Sequence, residues 1–167
     1  MAIVTTINNL AEVILPIFIE CFKEDAMEGK IIEGAEYLQE LMEERIFERG
    51  EATDGDIINS VITAQKLYNG GPYSEGHGFS RDAAGLQTGL IDLQFTGALR
   101  AALTVGEFDN KVAIGFSSER TGLLATYHEE YRQKEIFLPT DNEVELTAEF
   151  MTEGLAEYLK ECLESQP

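Results

Sequence analysis

The stretch Leu90 to Val105, "LIDLQFTGALRAALTV", constrains the fold most, because its apolar period changes partway along. Ile91, Leu93 and Phe95 alternate with Leu90, Asp92 and Gln94, which predicts a strand with the first three facing inward. Thr96 and Gly97 end the alternation, and "GALRAAL" predicts a short helix. Thr96 is expected to cap that helix with its hydroxyl, and Gly97 to supply the room a tight corner needs. Leu99 and Arg100 complete this corner. A strand, a glycine and a helix can also cradle a phosphate. That requires a glycine-rich run ending in Lys and Ser/Thr, or three spaced glycines inside a βαβ unit. Alanines stand where those groups belong, so the corner reads as structural and no cofactor is expected.

A hairpin is expected after the corner. "LTVGEF" and "KVAIGF" flank Asp109 and Asn110, two residues that tolerate the positive φ of a tight hairpin turn. Leu103, Val105, Val112 and Ile114 supply its apolar face. Ser117 or Ser118 is placed to cap a helix carrying Leu123, Leu124, Tyr127 and Tyr131 to about Gln133. "EIFLP" is a short extended piece. Thr140 or Asp141 caps a last helix from about Asn142 to Glu164, lined by Val144, Leu146, Phe150, Leu155, Leu159 and Leu163.

Helical spacing also governs the first third. Leu10, Val13, Ile14, Ile17, Phe18, Cys21 and Phe22 mark one helix face, with Pro16 inside it. Ile31, Ile32, Ala35, Leu38, Leu41, Met42 and Ile46 mark a second helix, from about Glu28 to Arg49, which Gly50 should stop. In residues 50–88, "GEATDGD" is a turn cluster, "IINSVITAQKLY" fits strand or helix, and the glycine-rich stretch that follows carries little pattern, so the region reads as a long loop or arm. Its Tyr68, Tyr73, Phe79 and Arg81 are candidate contacts to a neighbouring subunit. The expectation is one domain of class α+β: a helical part (1–49), a loop or arm (50–88), then strand, short helix, hairpin and two helices (89–167). N-terminal helices and a C-terminal helix would flank a small antiparallel sheet.

Charge narrows the partners. With 12 basic against 31 acidic residues the chain carries a net charge of −19. Residues 1–60 hold 4 basic and 14 acidic groups, and residues 117–167 hold 4 and 12, so the acid lies at both ends. Such a surface repels phosphate backbones and anionic lipid, which argues against both sequence-reading and nonspecific DNA binding. The longest apolar run, "VILPIFI", is too short to span a bilayer, and no basic residue precedes Lys23 to form a leader's charged region. No membrane association is expected. Cys21 and Cys162, two isolated cysteines on apolar helix faces, read as inert thiols suited to a reducing compartment.

Reactive groups do not converge in the sequence. His77 and His128 lie far apart, no H-E-x-x-H spacing occurs, and the cysteines have no close partner, so no metal is expected. "EATDGDII" lacks the alternating ligands and closing glutamate of a calcium loop. Ser117 and Ser118 do not form a G-x-S-x-G elbow. The chain reads as a non-enzyme.

Taken in order, several segments resemble the tailed-phage neck and tail-completion proteins, the head–tail joining or virion-morphogenesis family. "IFERGEATDG" (Ile46 to Gly55) looks like that family's acidic helix end and turn. "QTGLIDLQFTGAL" (Gln87 to Leu99) is similar to its strand closing in Thr-Gly-hydrophobic, with Arg100 following. Ile114-Gly115-Phe116 resembles its hairpin end, His128-Glu129 its helix pair, and Phe137-Leu138-Pro139 its turn into the last helix. The resemblance covers about Leu41 to Tyr158. It implies a virion structural protein, assembled in the host cytoplasm as a homo-oligomeric ring at the head–tail junction or tail. Its partners would be portal, neck or tail proteins, and genomic DNA would pass without specific binding along an acidic wall. The alternative reading is a small acidic module, a DNA mimic or regulator, that docks on a basic partner.

Overall fold

The computed structural model describes residues 21, 24–58, 67–108 and 111–165. The predicted helix over Leu10 to Phe22 (Cys21 apart), the segment 59–66 and the Asp109–Asn110 turn lie outside them. The described residues form five α-helices and one two-stranded antiparallel sheet, so the class is α+β. In chain order these are α1 (Glu24–Glu43), α2 (Glu75–Ala83), α3 (Ala98–Ala102), β1 (Leu103–Phe108), β2 (Lys111–Phe116), α4 (Glu119–Arg132) and α5 (Asp141–Glu164). A π-helical turn, Glu44–Arg49, extends α1.

The two long helices, α1 and α5, lie antiparallel. About midway between the Cys21 and Arg45 ends, Tyr37 stacks on Phe150 at 4.5 Å between ring centroids. The adjacent turn brings Gly34 against Met151, so closely that a Cβ at Gly34 would fall 2.6 Å from the thioether. This arrangement carries Cys21 to Cys162, and the two form a disulfide with Cα atoms 5.9 Å apart, inside the usual bridging range. The expectation of two inert thiols is therefore corrected. Their separation of 141 residues concealed a pairing that only the antiparallel docking of the helices creates.

The opposite end is closed by Arg45, which is buried. Its Nε donates to Glu143 Oε1 at 2.7 Å, and its other nitrogens donate to the carbonyls of Glu51, Ile136 and Leu138. Glu143 also closes a capping box with Thr140, the predicted cap of the last helix. One guanidinium thus joins the end of α1, the 136–138 segment and the start of α5. The core lies between these points, built around Met42, Ile46, Phe47, Ile58, Ile91, Leu99, Leu103 and Ile136.

β1 and β2 pair from Leu103↔Phe116 to Phe108↔Lys111, so the hairpin forms in the predicted register. Gln39 of α1 accepts from Val105 N–H and donates to Leu103 C=O, satisfying backbone groups of β1 that β2 leaves open.

Gly50 ends the first helix as predicted, at φ 64°. A Cβ there would lie 2.6 Å from the Ile91 carbonyl oxygen. Gly50→Ala therefore meets both a left-handed backbone and a rigid neighbour. The expected loss is about 2 kcal/mol or more in urea unfolding. A loss under about 0.5 kcal/mol would show that the contact with Ile91 yields freely.

Two expectations fail in the middle of the chain. Residues 75–83, read as loop, form α2, because Ser74 caps it by accepting from His77 N–H, and Gly78 lets the Tyr68 ring cross it closely. Residues 90–95, read as a strand, are irregular. Asp92 turns inward and is buried, while Phe95 is 47% exposed. The buried Arg81 demands an anion, and that demand outweighs the alternation.

Candidate functional site

At the corner after residue 95 the capping position expected of Thr96 is taken by Gly97, which makes no side-chain cap bond. Gly97, at φ 72°, is the N-cap of α3, and Thr96 Oγ1 accepts from Ala98 N–H at 3.3 Å. Leu99 enters the core. Arg100 bonds Glu43 at 3.0 Å and Glu48 at 3.1 Å, fastening the corner to the end of α1.

Asp92 organises the loop before the corner. Its carboxylate accepts from Arg81 Nη2 at 2.7 Å, from Tyr73 Oη at 3.2 Å, from Gln94 N–H and from the Gln87 side chain. Arg81 also donates to the Gln87 carbonyl and lies 4.5 Å above the Tyr73 ring. Tyr73 and Arg81, expected as subunit contacts, are therefore buried within the chain and spent on one another and on Asp92. Tyr68 is half-buried and donates to Asp82 at 2.8 Å. Phe79, at 67% exposed, is the most open of the four.

Above this network lies a cavity of about 140 Å³. Ile91, Leu93, Phe95 and Leu99 supply apolar wall, and Tyr73, His77, Arg81, His128 and Arg132 supply polar atoms. His77 stacks on Tyr73 at 5.0 Å and meets Phe95 edge-on at 5.1 Å. The chain's two histidines, 51 positions apart, thus reach one cavity, with α2 carrying the first and α4 the second. Sequence spacing missed this. The usable signal was their rarity, since both histidines sit beside an arginine four residues further along a helix.

Burial sets the protonation here. It holds both imidazoles below their ordinary range, aided by Arg81 at His77 and by Arg132 at His128. Burial also pushes Tyr73 up to about 12. Both rings are thus neutral at pH 7, and positive charge at the cavity comes from the guanidiniums. Nδ1 of His128 is buried with no hydrogen-bond partner among the described residues. No group of three or more His, Cys, Asp or Glu able to hold a metal ion occurs among the described residues.

Outside the cavity, α4 turns its apolar residues toward solvent. Leu123, Tyr127 and Tyr131, one face of the helix, are 65%, 56% and 47% exposed, and the two tyrosine rings stack at 5.7 Å. The side turned inward carries Ala125 and Glu129. Glu129 Oε1 accepts from Ile136 N–H at 2.8 Å and Phe137 N–H at 3.0 Å. Two backbone donors in the following turn decide the helix's rotation, and the apolar stripe is left outward. Comparison with models of known protein families, with curated proteins and with solved structures finds no match.

Proposed function

We propose that this chain is a structural subunit that works by docking on other protein subunits. Following the family resemblance, we place it in the head–tail connector, neck or tail-completion ring of a tailed phage. The observation that carries the reading is the outer face of α4. Leu123, Tyr127 and Tyr131 form a contiguous apolar and aromatic stripe open to solvent, and such stripes rimmed by polar residues mark protein contacts. Stacked tyrosines offer large, stiff contact area at low entropic cost. Phe95, Leu124 and Phe79 widen the apolar surface that each subunit presents.

The acidic balance fits the same role. A net charge of −19 keeps subunits apart until a specific surface docks, and would let DNA move along a channel wall without adhering. The function needs no catalytic step; the work is positional.

Self-association is the test. Mass photometry across a range of protein and salt concentrations should show a discrete higher-mass species that salt favours, because salt screens the subunits' mutual repulsion. Tyr127→Glu should remove that species and leave the circular dichroism of the monomer unchanged. A wild-type chain that stays monomeric, is absent from purified particles and forms a salt-sensitive 1:1 complex with a basic protein would replace this reading with the acidic-module alternative.

A further inference from the structure

We propose that Phe79 of one copy of this chain seats in the cavity between α2, the 90–97 segment and α4 of a second copy, so that each subunit carries a knob and a hole. This contact presupposes that the chain is a docking subunit, and it names the surfaces that dock. Phe79 is the most exposed large apolar side chain among the described residues. A single exposed apolar residue needs no explanation by itself. This one has a hole of its own size on the same molecule.

A cavity of roughly 150 Å³ accommodates one benzene ring, and this one measures about 140 Å³. Ile91, Leu93, Phe95, Leu99 and Leu124 give it apolar wall, and Phe95 and Leu124 are themselves exposed, so it opens to the surface where they stand. The other exposed aromatics are already engaged. Phe95 belongs to the wall, Phe150 stacks on Tyr37, and Tyr127 and Tyr131 stack on each other. A phenyl ring also brings no hydroxyl that an apolar wall would strand, as either tyrosine would.

Charge complements the fit. Glu75 and Asp82 lie one turn to either side of Phe79 on α2, and both are exposed. On α4, Leu124 and His128 line the cavity four residues apart, and the same spacing continues back to Arg120. Arg120 is exposed and makes no ion pair among the described residues. A ring flanked by acids thus meets a hole with a cation one turn beyond its lip, a local attraction between subunits whose net charge of −19 repels.

The geometry runs head to tail. His77 and Arg81 face the cavity from α2, and Phe79 lies about 200° around the helix from each. Knob and hole therefore occupy opposite sides of one helix. Contacts between two different surfaces of identical subunits close into rings or extend as filaments.

Mass photometry and analytical ultracentrifugation of the full chain test the contact. Phe79→Ala should raise the concentration for half-assembly at least about tenfold, as loss of a central aromatic anchor does. Ala98→Phe, which adds a ring to the cavity wall, should act in the same direction. Both positions are exposed, circular dichroism checks the fold, and Phe79→Ala decides alone if Ala98→Phe fails to fold. An equimolar mixture of the two variants should give a species of two chains and nothing larger, because one intact knob and one intact hole remain between them. Assembly indifferent to Phe79→Ala, or folded variants that do not pair, would overturn the assignment. The docking reading would survive that outcome if Tyr127→Glu still disperses the oligomer, whereas a wild-type chain that stays monomeric would overturn both. Saturable binding of toluene in the cavity, with assembly indifferent to Phe79→Ala, would give the cavity to a free small molecule instead.

Discussion

Arg45→Ala is expected to lower the unfolding free energy by about 3–5 kcal/mol, the usual cost of breaking a buried ion pair from one side. The reason is the number of groups that lose their partner together. Arg45 and Glu143 pair at 2.7 Å with side-chain exposures of 3% and 5%. The same guanidinium satisfies the Glu51, Ile136 and Leu138 carbonyls. Removing it strands a buried carboxylate and three acceptors where water cannot easily replace it. Glu143→Gln separates the contributions. It keeps an oxygen for the capping box with Thr140 but leaves Arg45 without its counter-charge, so it should cost less than Arg45→Ala and still more than about 1 kcal/mol. Urea denaturation followed by circular dichroism measures both, with the midpoint moving and the slope held. A loss below about 1 kcal/mol for Arg45→Ala would mean that the 136–138 segment detaches without consequence for the core.

The second large effect concerns the Cys21–Cys162 disulfide, whose cysteines stand 141 residues apart in sequence. Closing a loop of that size restricts the unfolded chain strongly, and the lost chain entropy corresponds to about 4–5 kcal/mol. For a chain of this length the fall in Tm is on the order of 10 °C when the bond is reduced or replaced by Cys21→Ser with Cys162→Ser. The oxidised protein should resist thiol alkylation until reduced, and its intact mass should lie two hydrogens below that of the reduced form. If oxidised and reduced protein melt together, the docking of α1 on α5 is set by the Tyr37–Phe150 and Gly34–Met151 contacts and the Arg45–Glu143 pair without the bond. Stability measured with and without reductant therefore separates the strength of the fold from that of the staple.

Local signals survived in three dimensions where their causes were local. Gly50 stops a helix because its own backbone takes positive φ. Ser118 and Thr140 cap helices because their hydroxyls reach an amide three residues on. The hairpin keeps its register because its two strands adjoin in sequence. Expectations failed where a distant partner changed the balance. Asp92 looked like the outward member of an alternating strand until Arg81, eleven residues earlier, took it inside. α4 carries an apolar stripe that pattern alone assigns to the core, yet Glu129 bonding to the turn at Ile136 and Phe137 rotates that stripe into solvent.

The candidate site divides in the same way. The positive φ of Gly97 is a short-range geometry that its own residue type announces, whereas the cap falls on Gly97 and not on Thr96 as expected. The cavity could not be read from its residues, because it exists only where α2 and α4 bring His77 and His128 to one place.

By itself the sequence determined where most helices start and stop, where the hairpin turns and how acidic the surface must be, since each depends on a few neighbouring residues or on simple counting. Tertiary structure alone decided which charges are buried, which cysteines meet and which side of α4 faces out. Those choices depend on desolvation and pairing between residues from 7 to 141 positions apart, and a buried charge takes whichever orientation satisfies it.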